Sequence, residues 1–223
     1  MIFNIFNKKS HIVVINDFIE YLNNSVEYVI LRNYEKLPIE YGNDIDILIS
    51  KNQALECIQQ LEKITKKYGF KIDRIIKKYC YFGVYINIDN NILLIDLFTD
   101  IVKGWVQYAD RDLILSTRRQ YNNFFIPLIE YEIGIIVFKE ILTYSKVRQK
   151  YSQRIESVSS DLDRHIFFSM FDNYFSKKNT DVVLKKIQNN EIFSSELKVK
   201  PRLARFLRPF EFLKWLIKKI KKD

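Results

Sequence analysis

Alternating apolar and polar residues predict several short β-strands in the first half of the chain. The clearest alternation is in 44–49, where Ile45, Ile47 and Ile49 point to one face and Asp44 and Asp46 to the other. An Asp-Asn-Asn turn at 89–91 predicts a hairpin between two of the strands. The other predicted strands span 26–31, 70–76, 79–88 and 92–98.

Helical spacing of apolar residues appears before, between and after these strands. A short helix is predicted over 12–23, with Asn16-Asp17 as its cap. Ser50 is predicted to cap a second helix of about 18 residues that ends at Tyr68-Gly69. Its expected buried side consists of Leu55, Ile58, Leu61 and Ile64.

After Pro127 the pattern becomes helical, over 129–146 and onward to about 190. Asp161-Leu162-Asp163 follows two serines and is interpreted as first-turn acids with an N-cap. Together these elements predict an α+β fold, with a small mixed β-sheet and flanking helices. The predicted domains are an α/β domain over 1–125, a helical domain over 126–197 and a basic amphipathic tail over 198–223.

The amino-acid composition limits the kinds of metal site that the chain can form. A hydrophobic content of 48% with 15% aromatic residues is typical of a globular protein. Cys57 and Cys80 lack the spacing of a zinc site or disulfide framework, and only His11 and His165 are available for histidine chemistry. Any metal would therefore be held by oxygen. No secretory signal and no apolar run of about 18 residues is evident, so a cytoplasmic location is expected.

The positive charge is concentrated in the tail. Residues 198–223 contain ten Lys and Arg against two acids, which accounts for +8 of the chain's net charge of +9. A two-sided helix is predicted over 209–222, with apolar residues on one side and lysines on the other. Such a helix suits an anionic membrane interface, and peripheral attachment to the inner face of a membrane is expected. The predicted membrane-contact residues are Phe210, Leu213, Trp215, Ile217, Lys218 and Lys219.

Two other interpretations of this tail remain open. The apolar side of the helix can dock onto the protein's own domain, with its lysines in water. Binding to nucleic acid is the weaker alternative, because the aromatic residues stand on the apolar side and not among the charges.

Three aspartates form the candidate functional site. Asp44 and Asp46 share a strand face, about 7 Å apart at Cα, and Asp96 interrupts the apolar run 92–98. If the two strands are neighbours, the three carboxylates converge, and they would then hold Mg²⁺, or Mn²⁺ in its place. The alternatives are a solvated strand face for the pair and a salt bridge for Asp96.

This constellation resembles the polymerase-β-type nucleotidyltransferase superfamily, in which Asp-x-Asp is followed by a third acidic strand residue. The segment from Leu31-Arg32-Asn33-Tyr34 through Gly42 to Leu48 is similar to a bacterial nucleotidyltransferase-like subgroup associated with surface-polysaccharide gene sets. Ile126-Pro127 and the helix that follows it are also similar to that subgroup. The likeness covers roughly 25–150 and implies a nucleotidyltransferase core for the small sheet.

The resemblance also implies roles for single residues. Asp44 and Asp46 would bind magnesium, and Asp96 would complete the metal site or act as the base toward an acceptor hydroxyl. Arg32 and Asn33 stand where the superfamily has Gly-Ser, and they are candidates to contact phosphates. For Arg32 the alternative is a salt bridge to Glu35 or to one of the aspartates.

Three basic residues of the helical part are further candidates to reach the nucleotide phosphates. They are Lys139, Lys146 and Arg148, and for each the alternative is a solvated charge on a helix.

The predicted function is magnesium-dependent transfer of an NMP from an NTP to a hydroxyl or phosphate of a small-molecule or sugar acceptor, in surface-glycan biosynthesis. The alternatives are phospho-alcohol transfer from a CDP-linked donor to a membrane-proximal or lipid-linked glycan, and a non-catalytic nucleotide-binding module. A nucleotide-sugar glycosyltransferase is disfavoured, because such folds place a longer nucleotide-binding region before Asp-x-Asp than the 43 residues that precede Asp44. The expected partners are a nucleotide donor, the acceptor and an anionic membrane, not nucleic acid.

Overall fold

The computed structural model describes residues 3–104, 106–194 and 196–200. Contacts divide the chain into two units, of which the first comprises residues up to Asp100 together with Arg111–Leu128. The second comprises Ile101–Asp110 and the residues from Ile129 onward. The three-part division predicted from the sequence stays a prediction. The tail helix and its membrane-contact residues lie outside the described residues.

A five-stranded mixed sheet forms the centre of the first unit. Its strands are β1 (Tyr28–Ile30), β2 (Ile45–Ile49), β3 (Lys71–Lys78), β4 (Tyr81–Ile88) and β5 (Asn91–Phe98), and their order in the sheet is β1-β2-β5-β4-β3. Strands β2 and β5 pair in parallel, and the other neighbours pair antiparallel. The parallel pair is separated along the chain by a crossover that contains a helix and two strands, as parallel pairing requires.

The hairpin between β4 and β5 follows from its turn residues. Ile88 pairs with Asn91, so Asp89 and Asn90 are the two turn residues. Their φ angles of 49° and 66° lie in the left-handed region, which Asn and Asp tolerate better than other residues with a side chain. The predicted hairpin is confirmed.

Two helices supply apolar side chains to the core of the first unit. Helix α1 (Phe3–Ser25) contributes Phe18 and Leu22, and helix α2 (Ala54–Lys67) contributes Leu61. They belong to one core cluster with alternate residues of the sheet, among them Ile47. The apolar residues of the alternating strands therefore lie on the sheet face that packs against these two helices.

The rest of the first unit consists of a short helix and a second hairpin, neither of which was predicted. They are α3 (Arg111–Ser116), β8 (Arg119–Tyr121) and β9 (Phe124–Ile126). Phe124 and Ile126 are buried in the core cluster. The Tyr34 ring packs edge-on at 5.2 Å from the ring of Tyr121, which fixes the chain just after β1.

The described part of the second unit is mainly helical, and its central helix is α4 (Ile129–Tyr144), which is buried on almost all sides. The Phe138 ring of α4 stacks on Phe175 at a centroid distance of 4.1 Å. Glycine at position 134 leaves room for the Phe171 ring, because a Cβ there would collide with it. The elements are β6 (Val102–Lys103), β7 (Val106–Gln107), α4 (Ile129–Tyr144), α5 (Ser152–Glu156), α6 (Arg164–Phe171) and α7 (Lys177–Gln188).

The predicted α+β fold with a small mixed sheet and helices is confirmed. Asp163 caps α6 by accepting a hydrogen bond from the backbone of Ile166, as its position predicts. In the described part of the chain, no helix combines the length and apolarity needed to span a bilayer.

The cap predicted at Asn16-Asp17 was wrong, because both residues lie inside α1, where Asp17 accepts hydrogen bonds from Lys67 and Tyr68. Ser50 stands at the N-cap position of the 3-10 turn that leads into α2, but its side chain makes no capping hydrogen bond. Its hydroxyl donates to the side chain of Asn52.

The buried stripe of α2 was also assigned incorrectly at one position. Leu55 is 62% exposed, while Ala54 and Cys57 occupy the buried side with Leu61 and Ile64. A short 3-10 turn precedes α2. The buried positions 54, 57, 61 and 64 keep the helical spacing, and position 55 lies about 100° away from the first of them.

Buried ion pairs predict where the second unit is most sensitive to mutation. Arg154 makes two hydrogen bonds of 2.7 Å to Glu132, which is 1% exposed. Arg154→Ala leaves that carboxylate buried without this partner, and we expect a loss of about 3 kcal/mol or more in the free energy of unfolding, measured with urea.

Arg164→Ala is the matched control for this prediction. Arg164 pairs with Asp181 in the same unit, but its side chain is 53% exposed, so its removal is expected to leave the urea midpoint almost unchanged. Equal effects of the two substitutions would contradict the assigned role of burial.

Candidate active site

The register of the sheet places two of the predicted site residues side by side. Asp46 of β2 stands opposite Asp96 of β5 in the parallel pair. Asp44 directly precedes β2, two residues before Asp46, so both side chains leave the backbone on the same side. One oxygen from each carboxylate lies within 4.8 Å of the others. The convergence expected for neighbouring strands is therefore observed.

Arg32 compensates part of this negative charge. Its Nε donates a hydrogen bond to Oδ2 of Asp46, and its Nη2 lies 4.0 Å from Oδ2 of Asp44. Of the two sequence interpretations for Arg32, the structure therefore shows the salt bridge to the aspartates. The contact follows from the backbone, because the Leu31 amide donates to the Asp46 carbonyl at 2.8 Å.

In the part of the chain that the structure describes, the second oxygen of Asp46 has no hydrogen-bond partner. Asp46 is 2% exposed, and its Oδ1 is a buried acceptor without a donor. A buried acceptor left unpaired costs about 1–3 kcal/mol, and more if it is charged. Native proteins accept such a cost where the atom has a ligand to bind.

The residues present fit a hard divalent cation. All three ligand groups are carboxylates, the donors that Mg²⁺ and Mn²⁺ prefer. With Arg32 included, the ionised side chains carry a formal charge of −2, which a divalent ion would neutralise. Asp44, Asp46 and Asp96 would hold this ion, through atoms that include the unpartnered Oδ1 of Asp46.

Tyr81 fixes the orientation of Asp96. Its hydroxyl donates a hydrogen bond of 2.8 Å to Oδ1 of Asp96. Burial raises the pKa of Tyr81 above its ordinary value, and the hydrogen bond to Asp96 raises it further. The phenol therefore remains a donor at neutral pH, and the ring is held against Phe98 at a centroid distance of 5.4 Å.

Gly83 makes the Tyr81 contact possible. It stands opposite Asp96 in the sheet, and Tyr81 lies two residues earlier on the same strand face. A Cβ on Gly83 would collide with the Tyr81 hydroxyl and would lie 3.0 Å from Cζ. The glycine thus leaves room for the phenol to cross β4 and reach the carboxylate on β5.

The turn after β1 contains a residue in the left-handed conformation that is not glycine. Asn33 has a φ of 58°, a left-handed conformation that Asn adopts more readily than other residues with a side chain. Its Nδ2 lies 3.7 Å from the position that a Cβ on Gly42 would take. Asn33 therefore supplies the left-handed residue of this turn, and the preceding residue, Arg32, contacts the aspartates.

The three basic residues predicted to contact phosphate belong to the second unit. Lys139 lies in α4 and is half-buried, and Lys146 is exposed just after that helix. Arg148 makes two hydrogen bonds to the buried Glu140, and these raise its pKa. Their assignment to the nucleotide stays a prediction.

Sequence reasoning missed Tyr81 and Gly83 as parts of the site. The available signal was a Tyr-x-Gly spacing at the start of the strand before Asp96. That spacing has a meaning only once the register is known, because a shift of one residue would turn Tyr81 to the other face.

Neither a protein-family model nor a curated protein matches this chain. Among solved structures, the solution structure of the antibiotic-resistance factor ANT(2'')-Ia is similar at 10% sequence identity, with a TM-score of 0.33. The similarity covers 82% of this chain and 91% of that chain. At this level it decides neither fold nor function, and the function proposed below is based on the site.

The contact between Tyr81 and Gly83 generates a prediction about stability. Gly83→Ala forces the phenol away from Asp96, and we expect a loss of about 1–3 kcal/mol in the free energy of unfolding. In a Tyr81→Phe background the same substitution is expected to cost less, because the colliding oxygen is gone. Urea unfolding of the two single variants and the double variant gives the coupling energy. Additive losses would contradict the contact.

Proposed function

We propose that this protein is a magnesium-dependent nucleotidyltransferase that moves an NMP from an NTP to a hydroxyl or phosphate of a small-molecule or sugar acceptor. One observation carries this proposal: the carboxylates of Asp44, Asp46 and Asp96 converge, and among the described residues a buried oxygen of Asp46 has no hydrogen-bond partner. A divalent ion at these ligands would bind the donor phosphates and neutralise charge that develops during transfer.

The protein's own groups have distinct tasks in this reaction. The acceptor oxygen attacks the α-phosphorus, the bond to the bridging oxygen breaks, and pyrophosphate leaves. Asp96 is the candidate to receive the acceptor's proton, and Tyr81 holds its carboxylate in place through Oδ1. Asp44 and Asp46 would act as ligands of the ion, and Asp96 would complete its ligand set.

Arg32 is proposed to move from the aspartates to the donor. Its guanidinium donates to Asp46, the residue that also carries the unpartnered oxygen. A cation held there would neutralise the charge that holds Arg32, and a phosphate oxygen would then be the stronger acceptor for the guanidinium. Asn33, next to Arg32 on the exposed turn, is proposed as an amide donor to the same phosphates.

A CDP-linked phospho-alcohol donor is the second candidate. Arg32 and Asn33 take more room than Gly-Ser, and such a donor brings two phosphates to the turn after β1 instead of three. The setting in surface-glycan biosynthesis is based only on the likeness of the segment from Leu31 to Leu48, and the membrane setting is based only on the composition of the tail.

The proposal predicts metal-dependent binding of a nucleotide. We expect ATP, CTP, GTP or UTP with Mg²⁺ to raise the melting temperature, corresponding to about 2.7 kcal/mol at a hundred times Kd. Asp46→Asn is expected to abolish this shift, whereas Asp73→Asn, which removes an exposed carboxylate of β3, should retain it. A preference for CDP-alcohols would favour the second candidate.

Turnover separates an enzyme from a binding module. Prolonged incubation with the bound NTP and Mg²⁺ is expected to release NMP and pyrophosphate by transfer to water, detected by chromatography. If the native protein binds the NTP but releases no pyrophosphate, either alone or with added sugar acceptors, the result would contradict catalysis and favour a non-catalytic binding module.

A further inference from the structure

The sheet has a second face, opposite to α1 and α2, and the three aspartates lie on it. Alternation places Tyr81, Gly83 and Tyr85 of β4 on this face, because Gly83 pairs with Asp96. Tyr81 and Tyr85 are half-buried, unlike the buried Phe82 and Val84 on the core face. We call the side of the sheet that carries Tyr81 and Tyr85 the tyrosine face.

A β-bulge decides which residues of β3 reach the tyrosine face. Ile72 pairs with Ile86, but Arg74 and not Asp73 pairs with Tyr85, so one extra residue is inserted at this point. Without the bulge, Asp73 would stand opposite Tyr85 and Arg74 would turn to the core face. The bulge therefore exchanges an acid for a base beside Tyr85.

The same shift brings Lys78 to the tyrosine face, opposite Tyr81. The Arg74 guanidinium lies 4.0 Å from the centre of the Tyr85 ring, and the Lys78 ammonium lies 5.5 Å from that of Tyr81. Among the described residues neither cation is in an ion pair, and both side chains are exposed. Two positive charges thus lie over aromatic rings on the sheet face that also carries the aspartates.

The distance from these cations to the aspartates suits a small molecule. Arg74 and Lys78 each lie two strands away from Asp96 and two residues along the strand direction. The spacing between strands and the rise per residue place the Cα of each cation about 12 Å from the Cα of Asp96. A sugar-sized compound can present a hydroxyl at Asp96 and an anionic group at either cation.

We propose that the tyrosine face binds the acceptor, and that this acceptor carries a phosphate or carboxylate group in addition to its reacting hydroxyl. Arg74 and Lys78 lie about 13 Å apart at Cα along β3, so one or the other binds the anionic group. The exposed parts of the Tyr81 and Tyr85 rings contact the body of the molecule. This inference is built on the proposed function, because it takes Asp96 as the point where the acceptor reacts.

The position of the face favours the acceptor over the donor. The donor phosphates are expected at the ion between Asp44, Asp46 and Asp96, with Arg32 on the β1 side of that cluster. Strands β4 and β3 extend from Asp96 in the opposite direction. A charge-complementary surface on that side is free to bind the second substrate.

The test uses the full chain and two anionic probes, glucose 1-phosphate and glucuronate, with neutral glucose as the reference. Binding is measured by calorimetry or ligand-observed NMR, without nucleotide or metal. We expect both anionic probes to bind more tightly than glucose. The double variant Arg74→Ala with Lys78→Ala should weaken their Kd about tenfold, as expected for loss of charge-assisted contacts.

Lys77→Ala is the matched control. Lys77 is exposed on the same strand, but it faces the core side, with its ammonium 5.6 Å from the Phe82 ring. It carries the same charge as Lys78, and its removal is expected to change the Kd less than about twofold. Thermal melting of each variant confirms that the fold is retained.

Several outcomes would overturn the proposal. Equal weakening by Lys77→Ala would show a non-specific charge effect, and equal binding of glucose would remove the role of the anion. If the double variant weakens binding of the NTP with Mg²⁺ and not of the sugar anions, the face belongs to the donor. Binding of a single-stranded oligonucleotide, but not of the sugar anions, would assign the face to nucleic acid.

The two proposals fail in different ways. Loss of metal-dependent nucleotide binding would remove the proposed function but leave the sugar-anion measurement intact. Conversely, a nucleotide shift that requires Asp46, together with no binding of sugar anions, would retain the transferase and reject the anionic acceptor.

Discussion

The parallel pairing of β2 with β5 is the constraint on which the site depends. It places Asp46 beside Asp96, and the residue before β2 adds Asp44 to the same group. A shift of one residue would pair Asp46 with an apolar neighbour and turn one carboxylate into the core, at a cost of several kcal/mol. The core on the other face fixes the register, because Ile45 and Ile47 alternate with Asp46 and are buried in the same cluster as Ile95 and Leu97.

The charge of the cluster supports the proposal that it binds a metal ion. Carboxylates at these distances repel one another, and one guanidinium with one phenol compensates them only in part. The remaining formal charge and the unpartnered Oδ1 of Asp46 make this position less stable than an apolar one would be. Proteins retain such positions where binding needs them. The ion that completes the set would also release Arg32, so metal binding and phosphate binding are coupled in this account.

The sequence predicted the residues of this cluster better than the contacts around it. Asp44 and Asp46 could be found by alternation, and Asp96 by its place inside an apolar strand. The pairing of Arg32 with Asp46 was one of several open alternatives, since it requires knowing that Leu31 bonds to the backbone of Asp46. Tyr81 depends on register. The bulge in β3 is visible only in its pairing with β4, so the choice of Arg74 over Asp73 could not be predicted from the alternation. Leu55 was expected on the buried side of α2 but is exposed, because a shift of one position along a helix moves a side chain from core to solvent.

Diffraction from crystals grown with Mn²⁺ and a non-hydrolysable analogue of the preferred nucleotide tests the central claim most directly. The anomalous signal of manganese locates the ion without reference to activity. The account predicts a peak bonded to oxygens of Asp44, Asp46 and Asp96, with the Arg32 guanidinium turned from Asp46 to a phosphate. A structure at saturating Mn²⁺ and nucleotide with no peak at these carboxylates, and with Arg32 still bound to Asp46, would contradict it.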